Sequence, residues 1–426
     1  MTAPRNPQFA ALRHRNFRLI WIGQLVSMAG SMMQNAAILW HVSVLVEPSR
    51  RGLALGLVGL VRVAPIVAFS LVAGVVADAH DRRRLMLVTQ TGMAVAAALL
   101  AWTAFTGVRQ LWPIYVLAAI AAAFGTFDNP ARQALIPTLV PAADLPNAIG
   151  LNAIMFQTAS VVGPAAGGVL IGEFGIGWAY AFNAASFLCV IAAVLLMRGI
   201  SGRPEGAVGR INVAAGIEGL RFVFHTPLIR STMLLDFFAT FFASATALLP
   251  IFAQDILSVG AHGYGVLSAA PSVGAILASL AMVRVVDRIE QRGPVLLWAI
   301  TFYGLATVLF GFSKLFLLSF LCLAVTGAAD TVSMVIRNLV RQLATPDHIR
   351  GRMTSVNMIF FLGGPQLGEL EAGLVASAWG PVFSVVSGGL GCLLVTGLVA
   401  ARTPQLRQYR ASIHLTPRGA LGETGS

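Results

Sequence analysis

Apolar runs long enough to cross a lipid bilayer recur along nearly the whole of this 426-residue chain, broken by short basic or Gly/Pro-rich stretches. A helical span needs about 20 predominantly apolar residues, since backbone polar groups inside a bilayer must be satisfied within the helix itself. Twelve spans are read, at 17–46, 52–77, 85–106, 112–129, 147–172, 178–197, 228–253, 264–286, 294–312, 315–336, 353–377 and 380–400. Little chain remains for a soluble domain. Only 11% of residues are charged, against about 25% in ordinary soluble domains. The first run follows a basic flank, Arg5 to Arg18, as a secretory signal does. It extends to about Val46, past the roughly 7 to 15 apolar residues of a cleavable signal, and therefore counts as a span.

The net charge of +12 comes from 28 arginines and one lysine spread between the spans, which argues against a nucleic-acid partner. With the N-terminus inside, 24 of the 29 basic residues face the cytoplasm; Arg50, Arg51, Arg109 and Lys314 lie outside and Arg62 lies within span two. By the positive-inside rule both termini are cytoplasmic, in a multi-pass protein of a bacterial-type plasma membrane. Cys189, Cys322 and Cys392 sit in apolar runs as small hydrophobes. No metal-ligand spacing, phosphate loop, nucleophile elbow or paired-histidine motif is present, so no metal, cofactor or enzymatic activity is expected. An ion gradient is then the expected energy source.

The longest break divides the chain into a bundle at 1–197, a cytoplasmic linker at 198–226, a second bundle at 227–400 and a basic tail at 401–426. Val213, Ile217, Leu220 and Phe224 share one helical face of the linker, which suits a helix lying along the inner membrane surface or a solvated loop. The bundles repeat one another. A shift of 209 carries Gly56, Leu71, Asp78, Arg83 and Leu87 onto Gly265, Leu280, Asp287, Arg292 and Leu296. A shift of 205 carries Arg132, Pro141 and Asn152 onto Arg337, Pro346 and Asn357, and one of 201 carries Gly163-Pro164 onto Gly364-Pro365. Ordered matches of this kind identify two copies of one six-span unit.

Parallel six-span halves are the plan of the major facilitator superfamily, and local motifs resemble it. Gly74-Val-Val-Ala-Asp78-Ala-His-Asp81-Arg82-Arg83-Arg84 is similar to the superfamily's loop signature after span two, with Ala79 and Asp81 replacing the usual basic residue and glycine. The resemblance implies a conformational latch formed by Gly74, Asp78, Arg82, Arg83 and Arg84, with Asp287 and Arg292 in the second half. Gly163-Pro164-Ala-Ala-Gly167-Gly168 resembles the span-five signature of proton-driven exporters, although Ala159 stands for its leading glycine. Small residues and a proline there allow close approach and bending, hence a pivot. Phe17-Arg18-Leu19, Trp21, Gly23-Gln24, Asp81 to Arg84 and Asn129-Pro-Ala-Arg132-Gln-Ala-Leu-Ile-Pro137 together look like the subgroup of enterobactin exporters and transmembrane secretion effectors, over roughly residues 9 to 400.

Ionisable groups inside spans cost about 2.5–3.5 kcal/mol on insertion scales and so mark candidate sites. They are Arg62, Asp236, Asp330, Glu369 and Glu371. Arg62 lies at a depth overlapping that of the two glutamates. In the superfamily plan, spans two and eleven face each other, which implies that Arg62 pairs with one glutamate when the outer side is closed. Neighbouring side chains two apart on a helix point about 200° apart, so one glutamate faces the partner. Asp236, among Leu234, Leu235, Phe237 and Phe238, reads as a proton carrier or as a structural hydrogen bond to another helix. Asp128 and Arg132, spaced i, i+4, read as a local ion pair shaping a cytoplasmic loop. His41 reads as a wet-face histidine. Trp21, Trp40, Phe156, Phe237, Phe241 and Phe361 are candidates to line an apolar cavity or to serve as core.

The expectation is an all-α integral membrane protein with twelve transmembrane helices in two pseudo-symmetric six-helix bundles. The resemblance implies a secondary active transporter exporting a small amphiphilic organic molecule, siderophore or drug-like, by proton antiport. Proton-coupled uptake is the alternative. The expected partners are that substrate, protons and lipid, with the chain acting as a monomer.

Overall fold

The computed structural model describes residues 9–198, 221–243, 245–345 and 350–410, apart from the side chains at 71, 78, 245, 344 and 350–362. Twelve long helices run through it. The first half holds α1 (Arg15–Leu45), α2 (Arg51–Ala79), α3 (Arg82–Phe105), α4 (Trp112–Leu135), α5 (Leu145–Phe174) and α6 (Ile176–Leu196). The second holds α7 (Pro227–Phe242), α8 (Gly260–Val285), α9 (Arg292–Phe312), α10 (Phe316–Ala344), α11 (Arg350–Trp379) and α12 (Pro381–Arg402). No strand occurs among the described residues. Ten helical stretches are long and apolar enough to cross a bilayer. The other two long helices, α1 and α11, carry buried polar groups such as Gln24, Gln34 and His41, and Glu369.

The internal repeat is visible in which helices touch. In the first half α1 packs on α5 and α6, α2 on α4, and α3 on α4 and α6. In the second, α7 packs on α11 and α12, α8 on α10, and α9 on α10 and α12. Each pair maps onto the other by adding six. The same turn recurs too: Gly175 (φ 93°) and Gly380 (φ 89°) link α5 to α6 and α11 to α12. Their N–H groups donate to Ile171 and Ala376. A left-handed residue at a helix end favours glycine, which has no Cβ to clash.

Several boundaries differ from the hydropathy reading. Helix α4 continues through Pro130 to Leu135 and α10 continues to Ala344, so Asp128 and Arg132 lie in a helix rather than in a loop. Apolarity ends the span early there because the last turns carry polar residues that face pockets instead of lipid. Helix α7 stops at Phe242, and the chain resumes through a 3-10 turn at Ala245–Leu248 and a π turn at Phe252–Ile256. His41 is buried, 5% exposed, while Cys189 is exposed. Residues 199–220, with most of the expected interfacial helix, lie outside the described residues, as do 411–426 of the tail.

The face where α1 begins and α12 ends is termed proximal, and the opposite face distal. Between the halves the main contacts run from α2 to α11 and from α5 to α8, again related by adding six. On the distal side these helices touch backbone to backbone. A Cβ added to Gly168 would sit 2.7 Å from Gly265 Cα, and one on Gly373 would sit 2.6 Å from Gly56 Cα. Lipid tails supply no hydrophobic force between helices, so such close van der Waals packing holds them together. Polar links sit on the same side. Tyr264 Oη donates to Ala36 O at 2.9 Å and Gln254 Nε2 to Ser43 Oγ at 2.7 Å. Arg51 Nη1 donates to both carboxylate oxygens of Asp255 at 2.9 Å. This last pair is partly exposed and contributes at most about 1 kcal/mol. Toward the proximal face, by contrast, a Cβ on Gly74 of α2 or Gly150 of α5 would meet nothing within 4 Å. The described residues seal the halves distally.

Candidate functional site

Two pockets occupy related places in the halves. One, of about 460 Å³, lies between α1, α4 and α5, lined in part by Trp21, Gln24, Arg132 and Phe156. The other, of about 220 Å³, lies between α7 and α10, lined in part by Asp236, Arg337, Asn338 and Arg341. A shift of 212 carries Phe17-Arg18 and Gln24 onto Ile229-Arg230 and Asp236, while the shift of 205 carries Arg132 onto Arg337. Each half therefore joins its first helix to its fourth through an arginine at the same place. In the first half Arg132 Nη1 donates to Gln24 Oε1 at 2.8 Å. In the second Arg337 Nη1 donates to Asp236 Oδ1.

The second-half cluster gathers charge. Arg337 Nη2 also lies 3.8 Å from Asp330 Oδ1, about two turns earlier on α10. Asp236 and Arg337 are about nine-tenths buried, whereas Asp330 is 46% exposed. Asp236 is thus an ion-paired acid bonded to another helix. Sequence reasoning passed over Arg337 as a site residue. Its signal was present in the repeat, which pairs it with Arg132.

Asp128 and Arg132 do not form the expected pair. Asp128, buried, accepts from Thr89 Oγ1 at 2.9 Å and Gln90 Nε2 at 3.0 Å on α3. Arg132 turns the other way, to Gln24 and to Asn129 Oδ1 at 3.2 Å. Helix rotation places the two side chains on different neighbours, and a buried carboxylate takes the donors it meets.

Glu369 packs on α2 at Gly59, three residues before Arg62, where a Cβ on Gly59 would lie 2.9 Å from Glu369 Oε2. Neither a hydrogen bond nor an ion pair within 4 Å joins Arg62 to Glu369 or Glu371 among the described residues, so the expected pair is not formed in this arrangement, and Arg62 Nη2, Glu369 Oε2 and Gln366 Oε1 are buried without partners. The position is informative, because the shift of 201 carries Gly168, at the α5–α8 crossing, onto Glu369. Both crossings bring glycine against glycine, and that of α2 with α11 encloses a charge as well. Glu371 is half-buried. Nearby, Tyr180 Oη and His41 Nδ1 are 3.2 Å apart, and Trp40 packs on Tyr264 with ring centroids 5.2 Å apart. If the two charges compensate each other, Arg62→Met and Glu369→Leu each destabilise the protein and the double variant recovers about 0.5–3 kcal/mol of the summed loss. Additive melting-temperature shifts in a double-mutant cycle would refute that compensation.

Of the latch residues, the side chain of Asp78 lies outside the described residues. Arg82 Nη1 donates to Ala134 O at 3.0 Å, and Arg83 Nη2 to Val194 O at 2.8 Å and Met197 O at 3.2 Å, all within the first half. Asp81, the departure from the signature, caps α3 by accepting from the N–H groups of Arg83 and Arg84, an arrangement worth about 1 kcal/mol. Arg84 is exposed. In the second half Arg292 Nε is buried without a partner and Asp287 lies in the short 3-10 turn Val286–Arg288. The span-five glycines divide their work: Gly163 and Gly167 receive Met32 and Met33 of α1, and Gly168 faces α8. Pro164 lies inside α5 between them. Phe237 and Phe241 stack with centroids 5.9 Å apart, and Phe361 falls outside the described side chains.

Known proteins match this chain nearly end to end. The family model described as transmembrane secretion effector matches residues 6–418. The multidrug efflux pump Tap of Mycolicibacterium fortuitum is 29% identical over 401 residues, covering 92% of this chain and 96% of its own. The enterobactin exporter EntS of Escherichia coli O127:H6 is 24% identical over 400 residues, covering 93% and 94%. Among solved structures, a POT family transporter in complex with 5-aminolevulinic acid superposes with a TM-score of 0.74 at 10% identity, covering 92% of this chain and 96% of its own. A bacterial homologue of the iron transporter ferroportin in an inward-facing state gives 0.65 at 14% identity, covering 91% and 99%. The chain belongs to the transmembrane secretion effector family of the major facilitator superfamily, and is a membrane transporter rather than an enzyme.

Proposed function

We propose that the protein exports a small amphiphilic organic molecule by proton antiport, as a monomer with both termini cytoplasmic, its two halves rocking to open the path alternately to each side. The observation that carries this reading is the cluster of Asp236, Asp330 and Arg337. Two carboxylates share the Arg337 guanidinium beside Arg341 of the same pocket, so the charges balance when both acids are ionised and one positive charge is in excess when a proton is bound. A proton on Asp236 removes its charge-assisted bond and frees Arg337 to turn to Asp330. Proton occupancy thereby alters the contact between α7 and α10. The relatives' names, efflux pump and exporter, support export over uptake.

Rocking needs a seal on each side in turn. The crossings at Gly52, Gly56 and Gly373, and at Gly168 and Gly265, form the distal seal. The resemblance of the loop signatures supports assigning the opposite seal to Gly74, Asp78, Arg82, Arg83 and Arg84 with Asp287 and Arg292. Arg62, Glu369 and Glu371 lie beneath the distal seal, where transported protons or polar substrate groups would pass.

Reconstituted vesicles with a pH-sensitive dye inside test the coupling. Siderophores and amphiphilic drugs are screened for substrate flux that moves protons in the opposite direction. Asp236→Asn is expected to lower proton-driven flux at least tenfold while leaving counterflow of substrate against substrate measurable. Proton-driven transport unchanged in Asp236→Asn would remove this acid from the coupling role.

A further inference from the structure

The larger pocket, between α1, α4 and α5, plays no part in the coupling scheme. Its wall is largely apolar and aromatic, with Trp21 held in place by an Nε1 hydrogen bond to Leu151 O at 3.1 Å. Arg132 is the sole charged residue of its lining. Because Asp128 faces α3, the guanidinium is met by the neutral acceptors Gln24 and Asn129 alone among the described residues. Gln24 adds an independent observation. It is 5% exposed, lines the same pocket, and its Nε2 is buried without a partner. Its orientation is fixed by Arg132, since flipping the amide would set N–H against N–H. A buried donor with no acceptor is unfavourable, and here it lies beside a cation lacking a counter-charge.

We infer that this pocket receives the oxyanion end of the transported molecule, a carboxylate or similar group on Arg132 and Gln24 Nε2, with a flat apolar or aromatic body against Trp21 and Phe156. The contrast between halves supports the assignment. At the equivalent place two arginines, Arg337 and Arg341, stand with two acids, Asp236 and Asp330, so the charges balance there. One copy of the repeat keeps a cation free for substrate, and the other couples its cations to acids that take protons. Calling the ligand a transported molecule rests on the antiport reading; the oxyanion site itself does not.

The test is equilibrium dialysis of the full chain in lipid nanodiscs, without any gradient, using 6-methoxy-2-naphthoate and the matching (6-methoxy-2-naphthyl)methylamine. Naphthoate is expected to bind about tenfold more tightly, as one charge-assisted contact provides. Arg132→Gln brings the ratio close to one, and Arg132→Lys keeps most of it, which separates loss of charge from loss of fold. Gln24→Leu weakens naphthoate several-fold with little effect on the amine. Arg109→Gln, which removes the same charge from an exposed distal position, leaves the ratio unchanged. A ratio unaltered by Arg132→Gln, a preference for the amine, or no naphthoate binding overturns the site. Selectivity that persists in a protein moving no protons would instead overturn antiport and leave this site standing.

Discussion

Replacing Arg337 with glutamine lowers the stability of the purified protein by about 3–5 kcal/mol and abolishes proton-driven transport, while Arg337→Gln combined with Asp236→Asn restores most of the stability and none of the coupling. Removing one partner of a buried ion pair leaves the other charge uncompensated, and that desolvated charge accounts for the loss. Removing both leaves two neutral amides able to hydrogen-bond across α7 and α10. The restored fold without restored coupling distinguishes a proton-handling cluster from one that merely holds helices together. Melting curves in nanodiscs and dye-loaded vesicles read the two properties separately. Equal instability of the single and double variants would show that Asp236 carries no uncompensated charge when Arg337 is lost. Asp330 makes a second check. Only Arg337 reaches it among the described ion pairs, at 3.8 Å, so Asp330→Asn should perturb stability much less than Arg337→Gln.

The second large effect is steric. Gly373→Val puts methyl groups where a Cβ alone would lie 2.6 Å from Gly56 Cα and within contact of Gly52 O. Both obstacles are backbone, so neither can swing aside as a side chain would. Overpacking of this kind costs about 1–3 kcal/mol, and in the proposed rocking cycle the cost falls on the distally sealed arrangement alone. A difference of that size shifts the ratio of the two arrangements by about 5- to 150-fold. The expected result is a collapse of net transport and increased labelling of distal cysteines, for example Ser43→Cys, by a membrane-impermeant thiol reagent. Native Cys189, Cys322 and Cys392 would first be replaced. Unchanged labelling with normal transport would mean that the close approach of α2 to α11 is not required for the cycle. Gly168→Val tests the symmetric crossing, where Gly265 is the backbone obstacle.

Which features were legible in the chain and which were not follows from how far each depends on neighbours. Twelve apolar runs and a repeat with drifting offset led to twelve helices in two six-helix sets, because bilayer crossing and copying are properties of one strand of sequence. Helix ends were less legible. Runs of apolar residues stop before Asn129 to Gln133 on α4 and before Arg337 and Arg341 on α10, yet the helices continue. Their polar residues face pockets that exist only once other helices are packed beside them.

The site divides the same way. The sequence alone marks Arg62, Asp236, Asp330, Glu369 and Glu371, since a charge within an apolar run is costly wherever the run ends up. It does not choose their partners. Spacing allowed Asp128 to meet Arg132, but the rotation of α4 turns one to α3 and the other to α1. Asp236 gained Arg337 from a helix 101 residues away, and the rotation of α11 set Glu369 rather than Glu371 against Gly59 of α2. Composition and periodicity determined the membrane, the helices and the repeat. Pairing of charges waited on tertiary structure, because hydrogen bonds and ion pairs depend on ångström distances and on helix rotation, which no count along the chain contains.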